Sequence, residues 1–181
     1  MSTTSNRTTP EMVNQFVGEP NYSDPNADDF EALSRDRVPV RSLLQGDLEA
    51  LIRIDRRITG RDRTGYYKRK VAEAIEESGV RVSVVAEMQG EVAGFIMARV
   101  DYGEFGRTST DAVIDTVGVD PAYAKKGVGH ALISQLLTNL DALRVEQVRT
   151  EVEWNDFGLL SFLDRVGFKP SQRLAFVRKR K

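Results

Sequence analysis

The stretch VGVDPAYAKKGVGHAL, residues 117–132, decides how the rest of the chain is read. An apolar, strand-like run stops at Asp120-Pro121. Two lysines and two glycines follow, and an apolar helical pattern begins. Glycine at a helix start lets the backbone come close to a ligand, and the first turn of a helix presents unpaired N–H groups and the positive end of its dipole. Together these favour an anion, most often a phosphate. A Walker phosphate loop is excluded, because the lysines precede the glycines and no Ser or Thr follows them. A dinucleotide fingerprint matches only in Gly127 and Gly129. Glu151 lies near the spacing of a ribose partner, but in that fold the strand runs straight into the first glycine, whereas here Asp120-Pro121 ends it well before.

Working outward, "DAVIDTVGV" (111–119) is nearly continuous in apolar content and reads as a central strand. Downstream of the turn, Leu132, Ile133, Leu136, Leu137, Leu140 and Leu143 form one helical stripe. "QVRTEVEW" (147–154) alternates: Val148, Thr150, Val152 and Trp154 fall on one face, and Arg149, Glu151 and Glu153 on the other, which places Trp154 in the core. "FGLLSFLDRVGF" is a short amphipathic helix closed by Gly167, and "RLAFVRK" reads as a last strand. Upstream, "VPVRSLL" is a first strand. Asp47 caps the helical "LEALIRIDRRI", and "YYKRKVAEAIEESG" is a second helix ending at Gly79. Residues 80–100 form a hairpin about Gln89-Gly90, and "GEFGRTST" is a loop. The sum is one mixed α/β domain over residues 38–181. Residues 1–37, rich in Pro, Asn, Ser and Asp, read as an irregular tail; its Met12, Val13, Phe16 and Val17 could pack on the domain or on a second copy, making a homodimer.

Composition narrows the function. The net charge of −1 gives no reason to expect nucleic acid, and no apolar run approaches the ~20 residues of a membrane helix. The absence of cysteine removes thiolate metal sites and any acyl-cysteine intermediate, and His130 is the single histidine, so no metal is expected. The polar N-terminus lacks the apolar core of a signal peptide, and a cytoplasmic location is the expectation.

Val119-Asp120-Pro121, then Ala124 to Gly129, then a long helix, resembles the GNAT superfamily of acyl-CoA-dependent N-acetyltransferases, whose hallmark is V-x-P followed by [QR]-x-x-G-x-[GA] at a helix start. The strand with Glu151, the short helix and the Val166-Gly167-Phe168 segment also look like the family, closest in pattern to the bacterial ribosomal-protein N-terminal acetylases. The resemblance implies a central, mostly antiparallel sheet, splayed at an acetyl-CoA site and flanked by four helices. It also implies direct attack of an amine on acetyl-CoA while both are bound, with an amine-bearing small molecule or protein as acceptor. It implies donor contacts at Val117, Gly118, Val119, Lys125, Lys126, Gly127, Val128, Gly129, His130, Ala131 and Asn155, with the two glycines admitting the pyrophosphate and a backbone N–H of Val117 to Val119 meeting the thioester carbonyl. Ala124 replaces the family's Gln or Arg, which removes a side-chain contact but not the backbone cradle.

For the general base the resemblance points to Glu151, with Glu153 acting through a water, and Asp115 as the alternative, a carboxylate interrupting the set Val113, Val117, Val119 on an apolar strand face. Leu163 stands where the family carries its acid Tyr; Ser161, Tyr66, Tyr67 and Tyr123 remain open as proton donors, as does water. A CoA-binding regulator that has lost the chemistry is the second reading. The basic "RRITGRDRTGYYKRK" is either a solvated surface or, if it lines the acceptor site, a preference for an acidic acceptor.

Overall fold

The computed structural model describes residues 37–77, 80–101, 110–171 and 177–179. Strand β1 (Val40–Ser42) leads into helix α1 (Leu48–Thr59) and helix α2 (Thr64–Ala72), which loosens into a π turn over Glu73–Glu77. Strands β2 (Val84–Met88), β3 (Glu91–Asp101) and β4 (Asp111–Val119) follow. Helix α3 (Val128–Ala142), strand β5 (Gln147–Thr150) and helix α4 (Phe157–Arg165) complete the described elements. The five strands lie in the order β1-β2-β3-β4-β5, antiparallel except for the parallel pair β4–β5.

Helices cover both faces of this sheet. On one face Leu132, Ile133, Leu136 and Leu140 of α3 pack on Val84, Ala86, Ile96 and Ile114. On the other, Leu51 and Ile54 of α1 and Tyr67 and Val71 of α2 pack on Val85, Phe95 and Met97. Adjacent strand residues thus serve opposite cores, as the two-residue period of a strand requires.

The hairpin turns at Gln89-Gly90, with φ of 56° and 80°, the paired left-handed geometry of a tight β turn. Asp47 precedes α1 as expected, but its carboxylate does not cap that helix. It accepts from the Leu44 N–H and the Arg41 guanidinium, pinning a 3-10 turn at Gln45–Asp47 instead. Burial alone would push the Asp47 carboxyl up, but these bonds outweigh it and hold the group below the usual carboxylate range.

Strand β4 spans the expected residues, but it is not one uninterrupted ladder. Met97 pairs with Thr116 and Ala98 with Ile114, which leaves Asp115 as the extra residue of a bulge. Face parity therefore switches: Ala112 and Ile114 face the α3 core before the bulge, Val117 and Val119 after it. This corrects the placing of Asp115 with Val117 and Val119. Its side chain lies on the opposite face, paired with Lys70 of α2 at 3.2 Å and with Arg99.

The strand expected over residues 147–154 ends at Thr150. Trp154, expected in the core, is 80% exposed in the turn before α4. The reason is that β4 and β5 pair only from Asp111↔Gln147 to Ile114↔Thr150, so the ladder that would carry the alternation further is missing. The tail, the loop over 102–109, Gly79 and most of the last strand fall outside the described residues, and Val177–Lys179 forms no strand.

Candidate active site

The parallel ladder stops at Ile114, and the second half of β4, Asp115–Val119, has no strand on its β5 side among the described residues. Asp120 donates its N–H to Ala93 O at 2.8 Å, fixing the phase of the β3–β4 ladder. Antiparallel ladders alternate, so stepping back by two directs Gly118 and Thr116 to β3 and turns the backbone groups of Val117 and Val119 toward the open side. The floor of that opening is lined by Ile96, Ile114, Val117, Ile133, Val152 and Leu163, together with Thr150, whose hydroxyl is spent on Ile114 O. A donor N–H at such a place is worth more than in water, because the surroundings do not screen it.

Beyond Val119 the chain turns sharply. Buried Asp120 accepts from Ala122 N at 3.0 Å and from Arg57 of α1 at 2.6 Å. Lys125 has φ 59° and Gly127 φ 83°, so two left-handed residues bring the backbone round to the start of α3. A Cβ on Gly127 would meet nothing within 4 Å; its glycine is required by conformation and leaves an open concavity. The N–H groups of Gly127, Val128 and Gly129 have no acceptor among the described residues. With the exposed Lys125 and Lys126 beside them, they can hold an anion the size of a pyrophosphate.

One expected donor is revised. Ala131 is fully buried and its N–H is bonded to Gly127 O at 2.9 Å, so it is removed from the cradle. Gly129 has a packing reason of its own, since a Cβ there would stand 3.1 Å from the Phe162 ring of α4. Gly118 likewise lacks a side chain because Phe95 would be met at 2.8 Å, and its backbone groups are directed to β3. His130 stacks edgewise on Phe162, with centroids 5.7 Å apart. Asn155 is exposed in the turn before α4.

The candidate bases separate in space. Glu151 follows directly on β5, between Thr150 and Val152 of the lining, and is exposed, as is Glu153. Asp115 is on the α2 face, held by two cations, not on an apolar surface. Among the candidate acids, Leu163 is buried and lines the opening. Tyr67 lies fully buried on the α2 face, bonded to Asp55 at 3.1 Å and 3.4 Å from the Thr116 hydroxyl, and burial pushes its phenol up to about 12. Tyr66 is raised by burial as well, Tyr123 approaches Gln89, and Ser161 is exposed.

Sequence reasoning missed the Arg57–Asp120 tie, which joins segments 63 residues apart, and the bulge at Asp115. The bulge was masked in the sequence because Val113 shares the parity of Val117 and Val119, so the three read as one unbroken face.

Comparison with known proteins agrees with this geometry. The model of the Acetyltransferase (GNAT) family matches residues 48–168. An N-alpha-acetyltransferase of Sulfolobus acidocaldarius is 24% identical over 136 residues, covering 72% of this chain and 79% of that protein. The aminoglycoside N-acetyltransferase AAC(6')-Iy, solved in complex with CoA, superposes with a TM-score of 0.67 at 16% identity, covering 80% of this chain and 95% of its own. An acetyltransferase from Trypanosoma brucei gives 0.61 at 22% identity, with 78% and 99% covered. The open strand, the glycine turn and a family model spanning more than half of the 181 residues lead to one conclusion: this chain belongs to the GNAT acetyltransferase family.

Proposed function

We propose that the protein transfers an acetyl group from acetyl-CoA to a primary amine, a polypeptide N-terminus first among acceptors, with both substrates bound together. The observation that carries this reading is the open half of β4 running into the glycine turn. It supplies hydrogen-bonding backbone beside an anion cradle in one continuous stretch, Val117 to Gly129. CoA in the structural neighbour AAC(6')-Iy and the activity named for the Sulfolobus relative support the donor and the acceptor class.

Each residue has a role in this reading. Gly127, Val128 and Gly129 donate N–H groups to the pyrophosphate, and Lys125 and Lys126 add diffuse charge. Val119 pairs through its backbone with the amide-bearing arm of the cosubstrate. Val117 N–H donates to the thioester oxygen as negative charge gathers there. Glu151, directly or through a water, takes the proton of the incoming ammonium, with Glu153 beside it. The free amine then forms the C–N bond as the C–S bond breaks, the nitrogen gives up its second proton to solvent, and the sulfur leaves as thiolate. Leu163 and its apolar neighbours offer that sulfur no proton, so its proton comes from solvent. Asp115, already engaged by Lys70 and Arg99, is given no part as base in this reading, and a cytoplasmic location belongs to it.

The test is acetyl-CoA turnover with a panel of peptides, lysine derivatives and small amines, read as free thiol, alongside calorimetry with CoA. Amine-dependent thiol release supports the proposal. CoA binding with no turnover on any amine would replace it with the regulator reading.

A further inference from the structure

The charge of this protein is unevenly placed. Between Arg53 and Lys70 the sequence holds eight Lys or Arg against two Asp, a local excess of six positive charges in a chain whose net charge is −1. Ion pairs use part of that excess. Asp55 holds Arg63, Asp62 holds Arg56, Asp120 holds Arg57, and Lys70 sits between Glu73 and Asp115. Arg53, Arg61, Lys68 and Arg69 are exposed and form no ion pair with a described residue.

The helices that carry these cations lie against β4. Along β4, Lys70 reaches Asp115, Tyr67 reaches Thr116, Ile58 Cδ1 would stand 3.4 Å from a Cβ on Gly118, and Arg57 reaches Asp120. Helices α1 and α2 thus follow the open half of β4 residue by residue, on the face opposite α3. Arg61, in the turn between the two helices, and Lys68 and Arg69, on α2, are exposed along this part of the surface.

We infer that this face selects the acceptor, and that the acceptor is a polypeptide with Asp or Glu side chains close behind its amino terminus. The inference rests on the proposed N-acetyltransferase reaction. Unpaired cations at the rim of a site attract anionic partners and raise their local concentration, while disfavouring basic ones. A nucleic acid is the less suited anion: single-stranded binding needs exposed aromatic rings for base stacking, and of the two tyrosines between these cations Tyr67 is buried and Tyr66 half-buried.

The experiment has two readouts. Acetylation is followed on two peptides with the same N-terminal residue, one followed by acidic and one by basic residues, at low and high salt. Binding of the acidic peptide with its amine blocked is followed by fluorescence anisotropy, without acetyl-CoA. The wild type should prefer the acidic peptide by about tenfold in kcat/KM at low salt, and the preference should shrink as salt screens it. The triple variant R61E/K68E/R69E should reverse the preference with acetyl-CoA affinity unchanged. Equal use of both peptides by the wild type, or an unchanged ratio in the triple variant, overturns the inference. So does an oligonucleotide of equal charge that competes at lower concentration than the acidic peptide. Salt-dependent binding of the blocked peptide without turnover of any amine would refute the proposed reaction while leaving the acidic-partner surface standing.

Discussion

Gly129→Val separates two explanations of one glycine. A Cβ there stands 3.1 Å from Phe162 Cε2 and 3.4 Å from Cζ, so even alanine asks the ring to shift by a few tenths of an ångström, and valine asks for more. Overpacking of this kind costs ~1–3 kcal/mol, against which Gly→Val in a helix returns only a few tenths. A fall in Tm is therefore expected from packing alone. The ligand side is independent. If the valine keeps the pyrophosphate off one or two N–H donors, each charge-assisted bond lost is worth ~1.5–3 kcal/mol, about ten- to a hundredfold or more in Kd. The double variant Gly129→Val/Phe162→Leu decides the matter, since the smaller side chain makes room. Thermal melts should show much of the stability restored, while calorimetry with CoA should show affinity still reduced at least tenfold. If affinity returns together with stability, Gly129 serves Phe162 and not the cosubstrate, and the cradle contracts to Gly127 and Val128.

Glu151→Gln should lower kcat by ~10²–10⁴-fold with CoA affinity unchanged and partial rescue at high pH, where free amine no longer needs a base; unchanged kcat at neutral pH removes Glu151 from the mechanism. Asp115→Asn should leave kcat within a few-fold and lower stability by ~1 kcal/mol in chemical denaturation, because it weakens partly exposed ion pairs; a large kcat loss in a folded variant would return Asp115 to the list of bases. Tyr67→Phe should cost ~1–3 kcal/mol by depriving Asp55 and Thr116 of a buried partner. Asp47, whose carboxyl is held below its unfolded value, stabilises the fold above pH ~4, and that contribution is lost as pH falls through its folded pKa. Asp47→Asn should therefore flatten the acid limb of a pH–Tm series.

What could be read in the sequence depended on how local its cause was. The Gln89-Gly90 turn, the span of β4 and the stripe of α3 follow from neighbours a few residues apart, and the structure has them where the pattern put them. Trp154 was misplaced because strand alternation persists only while a partner strand is present, and that partner diverges after Ile114. Asp47 was misassigned because Arg41 competes for its carboxylate. The glycine turn was legible as a candidate anion site, but the second reason for Gly129 was not, because Phe162 approaches from a helix 33 residues further along the chain.

The bulge at Asp115 gives β4 one residue more than its ladder counts. Deletion of that single residue would join Ile114 to Thr116 and leave the pairs Ala98 with Ile114 and Met97 with Thr116 in place, so the ladder would straighten without any change of face. Ala112 and Ile114 would stay in the α3 core with Val117 and Val119, and what is lost is the pairing of Asp115 with Lys70 and Arg99. An indel scan across residues 111–119 should therefore find loss of Asp115 better tolerated than loss of Ile114 or Val117, since only the latter two take a core side chain out of the strand.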